Sequence, residues 1–396
     1  MKQKVVIIGH GYLSRLSLIR SLGQAGFDLS VVVTMYGALN TTKPLDCYSK
    51  YVSKVYYCNA KDSEGLISIL LNLSTGKEQK IVIIPDSDWS ASIVDDNRDS
   101  LSEYFLFPRL DDDSFHVADW MDKERQKLLA KEIGLTVPNV TRVSVVDGVE
   151  PNLSNVHYPC FTKALTTKVG GKQCFSRSNN KEELIKALSV FANRKVSDIL
   201  IEDYIDIERE YAVVGLTDGK NVYMPGVIQV IENCQCHLGI ARKGKIMPTT
   251  CFEGLLDLMK VFVRRTRFVG LFDIDFLYSQ GNYYFCEMNF RYGGSGYAYT
   301  KLGINLPSLF VQMITNQLDI SSIKDRVNTE QYFVNEKMLL DDLLAKNITL
   351  CEFNKDLVSA EISFIKDKED FAPQRHFRKM VLKNKVKYFM KKILQR

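Results

Sequence analysis

The sequence predicts an α/β protein whose first third is built on a parallel sheet and whose remainder is α+β, and three observations lead to that expectation. Up to Val117, short β-rich apolar runs alternate with apolar residues at helical spacing, the rhythm of βαβ units. From Asp119 the texture changes to short strands interrupted by single helices. A long hairpin, Phe272 to Tyr278 and Tyr283 to Met288, then gathers acidic, amide and guanidinium groups on one face. With 396 residues, the chain is long enough for two or three domains.

In the first region Val5 to Ile8 is a strand, Gly9-His10-Gly11 turns the chain, and Leu16, Ile19 and Leu22 mark a helix ended by Gly26. Leu29 to Thr34 and Ile81 to Ile84 are further strands, the latter closed by Pro85-Asp86, giving a Rossmann-like domain over residues 1–117. Gly9-x-Gly11-x-x-Ser14 is a weak dinucleotide signal, because serine stands at the third glycine and no acid follows strand Leu29 to Thr34 to hold a ribose. An NAD-dependent oxidoreductase is therefore the lesser alternative. Asp86 and Asp88 fall where such a sheet opens its ligand crevice and could touch a substrate, although residues so placed more often serve in turns and helix caps.

In the second region, residues 118–330, Lys123 to Ile133 is a helix ended by Gly134. Strands follow at Cys160 to Ala164, Gln173 to Ser176, Ile199 to Ile201 and Tyr211 to Leu216, with a helix at Lys181 to Phe191. A strand at Tyr223 to Val230 and a helix from Gly254 to Arg265 precede the hairpin.

Bulk properties exclude several classes. The nine cysteines include no Cys-x-x-Cys pair, and Cys234-x-Cys236 alone offers too few ligands for zinc, so reduced thiols in a cytoplasmic protein are expected. No apolar run approaches the roughly 20 residues that span a bilayer. The overall charge is +5, yet the stretch from Gln374 to Arg396 alone holds nine Lys or Arg and no acid, which leaves the body net acidic and unlike a nucleic-acid binder. In that tail Leu382, Val386, Phe389, Met390 and Ile393 form one helical stripe opposite lysines, so residues 374–396 are expected to lie on an anionic membrane at its inner face, or against their own domain.

The chemistry concentrates in the hairpin. Glu287, Asn289 and Arg291 alternate along one strand and share a face. Asp273 and Asp275 share a face of the other strand, with Phe272, Ile274 and Phe276 behind them. A three-residue loop, Gln280-Gly281-Asn282, sets Asp275 opposite Glu287. Cys286, Met288 and Phe290 are expected on the core-forming side. Clustered carboxylate and amide oxygens are what Mg²⁺ takes as ligands, usually with phosphates completing its shell, and an adjacent arginine suits phosphate oxygens. Asp275, Glu287 and Asn289 are thus the expected metal ligands.

Glu287-Met-Asn-Phe-Arg291 resembles the Glu-x-Asn-x-Arg signature of the ATP-grasp superfamily, with Asp275 as the upstream acid. The resemblance covers about residues 1–330 and implies a two-subdomain ATP-grasp fold with a lid subdomain at about 140–205, followed by a C-terminal extension over 331–396. It also implies roles for other residues. Lys123 and Lys163 would hold ATP phosphates, and Lys168, Gly170, Gly171 and Lys172 would form the loop closing over them. The hinge Glu202-Asp203-Tyr204-Ile205 would read adenine, Glu210 the ribose. Arg291 and Arg242 would act on the transferred phosphoryl group. Gly293-Gly294-Ser295-Gly296 would let backbone amides approach the acyl group. The implied activity is ligation of a small-molecule carboxylate to an amine with ATP and Mg²⁺, or Mn²⁺ in its place. A kinase or carboxylase of the same fold is the alternative. A narrower likeness is to the D-aspartate ligase-like branch, carried by Gly270-Leu-Phe-Asp-Ile-Asp, Asn289-Phe-Arg-Tyr-Gly-Gly-Ser-Gly and Leu302-Gly-Ile-Asn-Leu-Pro307.

Overall fold

The structure is a computed structural model that describes every residue except 1, 40, 77–78, 146–150, 166–174, 238 and 395–396, together with the side chains outside Tyr12 and 384–396. The first four strands of the chain are β1 (Lys4–Gly9), β2 (Asp28–Met35), β3 (Val52–Asn59) and β4 (Ile81–Pro85), and β5 is Phe105–Leu106. They make one wholly parallel sheet in the order β3-β2-β1-β4-β5. Val5 to Ile8 of β1 are fully buried, as expected of a central strand covered by helices on both faces. The strand order reverses between β1 and β4, so their carboxyl ends splay into a crevice. Gly9-His10-Gly11 and Asp86-Ser87-Asp88 occupy that crevice, followed by helices α1 (Tyr12–Gln24) and, after α2 (Ser63–Ser74), α3 (Asp88–Asp96). Ser87 caps α3: its side chain accepts from the Ser90 N–H at 3.2 Å, and the Ser90 hydroxyl accepts from the Ser87 N–H.

Helix α4 (Lys123–Ile133) begins at an Asp122 cap and stops at Gly134, whose φ of 98° a side chain would resist. A four-stranded antiparallel sheet follows, in the order β6 (Val140–Ser144), β9 (Asp198–Asp203), β7 (Cys160–Ala164) and β8 (Ser176–Ser178). Helix α5 (Lys181–Asn193) covers one face of it through Leu184, Leu188 and Phe191. The strand expected at Gln173 to Ser176 starts only at Ser176, and positions 173–174 lie outside the described residues.

The largest sheet runs β14 (Asn282–Asn289), β13 (Phe268–Ser279), β10 (Arg209–Asp218), β11 (Val227–Asn233), β12 (Ala241–Met247), β15 (Gln331–Val334), β16 (Ile362–Ser363). The expected strand from Tyr223 to Val230 is broken: Val222–Tyr223 pairs with β10, and β11 begins only after Pro225-Gly226. Phe272, Ile274 and Phe276 are fully buried against Met259, Phe262 and Val263 of α6 (Glu253–Thr266), which leaves Asp273 and Asp275 on the opposite face. Arg109–Leu110 pairs with β13 and β15 with β12, so this sheet draws strands from both ends of the chain.

The C-terminal segment is pinned to the first domain by Arg20 of α1. Its fully buried guanidinium donates to Asp370 Oδ2 at 3.0 Å and to the carbonyls of Phe364, Ile365 and Asp370 at 2.7, 2.9 and 3.1 Å. After α7 (Leu306–Ile314), α8 (Glu336–Leu344) and α9 (Leu350–Ser359), the chain ends in α10 (Phe371–Leu394), where His376 stacks on Tyr48 with centroids 3.6 Å apart. The expected stripe from Val386 to Ile393 lies outside the described side chains, and among the described residues no helix is long and apolar enough to cross a membrane.

Removing one partner of a buried ion pair costs about 3–5 kcal/mol, because the other charge is left unanswered. Arg20→Met is therefore expected to lower the melting temperature and expose the segment after Phe364 to limited proteolysis. Unchanged melting and proteolysis would show that the contact contributes nothing.

Candidate active site

The hairpin of β13 and β14 places the acids as expected, but by a different construction. The loop has two residues, Gln280 and Gly281, at φ of 48° and 81°, the left-handed pair that suits a tight hairpin. Such a loop alone would set Asp275 opposite Cys286. An irregularity between Asp275 and Phe276 inserts one residue into β14 and restores the pairing of Asp275 with Glu287 and Asp273 with Asn289. Cys286 is the inserted residue, and its expected place on the core-forming face is corrected accordingly. It lies among Lys127, Lys163, Glu202 and Asp275, and burial pushes its thiol up to about 12 against the pull of the two lysines. Met288 and Phe290 do face the core.

Cations from other elements answer these acids. Lys123, in the first turn of α4, sets its Nζ 2.7 Å from Glu287 Oε2. Gln126, on the same helix, fixes β14 by accepting from the Met288 N–H at 2.7 Å and donating to the Met288 carbonyl at 2.9 Å. Asn289 donates to Asp275 Oδ2 at 3.4 Å, and Arg291 Nη2 stands 3.5 Å from Asn289 Oδ1. The other side of the guanidinium crosses to the first domain, Nε donating to Asp88 Oδ1 at 3.1 Å. Burial would push the Arg291 pKa down, but Asp88, Asp273 and Asp275 hold it above its ordinary value.

Lys163 on β7 and Glu202 on β9 meet at 2.7 Å, and Lys127 of α4 approaches the same Glu202 oxygen at 3.1 Å. Sequence reasoning missed Lys127, although it lies one helical turn from Lys123 on the same face. It also missed Gln126 and Cys286 as residues of the site, and set Asp273 on the face of Asp275 without giving it a role.

The remaining expected residues are more dispersed. Asp203 accepts from Asn139 Nδ2 at 2.7 Å, Tyr204 N–H donates to the Pro159 carbonyl at 3.0 Å, and Ile205 follows directly after them. Glu210 accepts from Asn233 Nδ2 at 2.8 Å and lies on the same face of the large sheet as Asp275, two residues along β10 from its partner Ala212. Arg242 is engaged elsewhere, by Glu232 and by Asp342 at 2.8 Å, in a cluster made with α8. Lys168, Gly170, Gly171 and Lys172 lie outside the described residues.

Asp86 is buried at 4% exposure just after β4 and directly under Gly9, where a Cβ would fall 1.3 Å from Asp86 Oδ1. Neither oxygen has a hydrogen-bond partner in normal geometry among the described residues, although the Gly11 N–H acts to lower the Asp86 pKa. Burial raises its pKa to about 7 despite Arg15 and Arg291.

The arrangement is a cleft between a small antiparallel sheet and a larger one, with oxygen donors on the larger and lysines from both sides, a form that suits a nucleotide polyphosphate with a hard divalent ion. Residues 128–307 match the family model of the ATP-grasp domain. The chain therefore carries an ATP-grasp domain, and the match spans Lys163, Glu202, Asp275, Glu287, Asn289 and Arg291. Among curated proteins, it is 27% identical over 175 residues to the carbamoyl phosphate synthase large chain of Clostridium botulinum (strain Eklund 17B / Type B), 43% of this chain but only 16% of that one. Among solved structures, it resembles the L-amino acid ligase from Bacillus licheniformis (TM-score 0.62, 14% identity, 84% of this chain and 79% of that one). It also resembles the N5-carboxyaminoimidazole synthetase from Staphylococcus aureus complexed with ADP (TM-score 0.63, 17% identity, 90% and 87%). A third likeness is to the biotin carboxylase domain of the Hydrogenobacter thermophilus 2-oxoglutarate carboxylase in complex with MgADP (TM-score 0.65, 18% identity, 84% and 74%). At these identities the structural likenesses establish the shared fold.

A raised carboxyl pKa means the fold favours protonated Asp86. Its contribution is full at low pH and is lost as pH rises from the unfolded value of about 4 through the folded value of about 7. Asp86→Asn removes that titration. The melting temperature of the variant relative to wild type is expected to increase between pH 5 and pH 8, and a constant difference would contradict the assignment.

Proposed function

We propose that this protein is an ATP-dependent carboxylate–amine ligase, which activates a small-molecule acid as an acyl phosphate and captures it with an amine. The observation that carries the reading is Asp275 standing opposite Glu287, two residues along β14 from Asn289, with Lys123 drawn in to 2.7 Å. That face combines hard oxygen donors with a demand for cations, which fits Mg²⁺ and a polyphosphate.

A carboxylate attacking the γ-phosphate of ATP forms the acyl phosphate and displaces ADP, a step that brings anions together, so catalysis depends on charge placed beforehand. Asp275, Glu287 and Asn289 would hold Mg²⁺, whose charge would offset that of the phosphates. Lys123 and Lys163, each now against a carboxylate, would turn to the phosphate oxygens. Arg291, anchored by Asp88, would hold the transferred phosphoryl group and then the acyl phosphate. The backbone of Glu202 to Ile205 would receive adenine, and Glu210 the ribose. The acid and the amine would meet in the crevice between Gly9-His10-Gly11 and the Gly293 to Gly296 turn. The Gly293 to Gly296 turn borders that crevice at α1, since a Cβ on Gly294 would come within 3.4 Å of the Ser14 backbone. Attack of the amine on the activated carbonyl forms the C–N bond, breaks the C–O bond to phosphate and releases inorganic phosphate and a proton. An acyl phosphate must be kept from water, the part that the resemblance gives to Lys168, Gly170, Gly171 and Lys172. We further favour a cell-envelope or polysaccharide precursor as one substrate, on the strength of the basic stretch after Gln374.

The test is phosphate release from Mg-ATP over a panel of amino acids, uronic acids and amino sugars, with bicarbonate included. Release that requires an acid and an amine together is expected. A stable phosphorylated acid formed without amine would indicate a kinase, dependence on bicarbonate a carboxylase, and a silent panel would leave the ligase reading without support.

A further inference from the structure

Glu202 is a single buried carboxylate with two ammonium groups on the same oxygen. Lys163 Nζ stands 2.7 Å and Lys127 Nζ 3.1 Å from its Oε1, and neither contact has the angles of a well-directed hydrogen bond. The three residues come from separate elements, β7, β9 and α4, and are exposed by only 7%, 8% and 1% for Lys163, Glu202 and Lys127. Lys127 is additionally held by the Phe285 carbonyl at 3.3 Å. Burial pushes its pKa down, while Glu202 opposes that effect.

A nucleotide polyphosphate needs the ammonium of Lys163, but in the structure that ammonium is committed to Glu202. Drawing it away would leave a buried carboxylate unanswered, a costly change unless another cation stays behind. Lys127 is placed to be that cation. It is the most buried of the three lysines, tethered to the backbone of β14 at Phe285 and one helical turn from Lys123, so it would remain on Glu202 when Lys123 and Lys163 turn to phosphate.

We propose that Lys127 is a positioning residue of the nucleotide site: by holding the Glu202 carboxylate it releases Lys163 to the polyphosphate. The inference rests on the nucleotide reading of this cleft and adds to it a residue that contacts no ligand. It predicts a specific coupling. Without Lys127 the phosphate must compete with Glu202 for Lys163, and that competition disappears when Glu202 loses its charge.

The experiment is calorimetric titration of the full chain with Mg-ADP and with a non-hydrolysable Mg-ATP analogue, for wild type, Lys127→Gln, Glu202→Gln and the double variant, with folding of each checked by circular dichroism. Lys127→Gln keeps a donor for the Phe285 carbonyl, and Lys127→Met is run beside it in the same cycle. The expected result is that Lys127→Gln weakens nucleotide binding by roughly tenfold or more in the wild-type background and by less than about threefold in the Glu202→Gln background. Lys127→Arg, which keeps the charge, should bind nearly as wild type does. Equal losses in both backgrounds, or no loss in either, would overturn the proposal while leaving nucleotide binding intact. No binding by wild type would overturn the nucleotide reading and this inference with it.

Discussion

The constraint on which the site depends is that buried or half-buried carboxylates must be matched by cations. Asp273, Asp275 and Glu287 share one face of two adjacent strands, and Glu202 faces the same cleft from the smaller sheet. Left alone, such a cluster would repel itself and resist burial. Each acid is met by a cation from a different part of the chain: Lys123 and Lys127 from α4, Lys163 from β7, Arg291 from the end of β14. On the proposed reading, the same balance would let a metal ion and a polyphosphate enter at modest cost, since they would exchange one set of opposite charges for another.

The same principle ties the domains together. Asp88 of the parallel sheet reaches Arg291 of the large one, and Arg20 of α1 fixes the C-terminal segment through Asp370. Ser17 on α1 donates to the Gly294 carbonyl at 3.0 Å, which sets the glycine-rich turn against the first domain. The crevice at the strand-order reversal therefore borders the Arg291 guanidinium through Asp88.

How far the sequence revealed this depended on where charge was balanced. β1, β2 and β4 were legible because strands covered on both faces need unbroken apolar runs. β12 was not recognised as a full strand, because Ala241-Arg-Lys-Gly-Lys-Ile-Met247 carries three cations whose partners, Glu232, Asp342, Asp356 and Glu330, are mostly distant in sequence. The pairing of Asp275 with Glu287 was read correctly through two compensating differences, a loop one residue shorter and a bulge one residue longer. Alternation cannot detect a bulge, which is why Cys286 was assigned to the wrong face. Lys127 went unnoticed for a related reason: in a helix as charged as Lys123-Glu-Arg-Gln-Lys127, a lysine reads as solvated surface. Its spacing from Lys123 was the available signal.

On the proposed reading, acidic and amide oxygens of β13 and β14 gather a divalent cation with the nucleotide. Electron paramagnetic resonance of Mn²⁺, used as a probe for the Mg²⁺ site, tests it most directly with ADP present and absent. Wild type should bind Mn²⁺ far more tightly with ADP, and Glu287→Gln combined with Asn289→Ala should abolish that enhancement in a folded protein. Enhancement surviving in the double variant would contradict the claim.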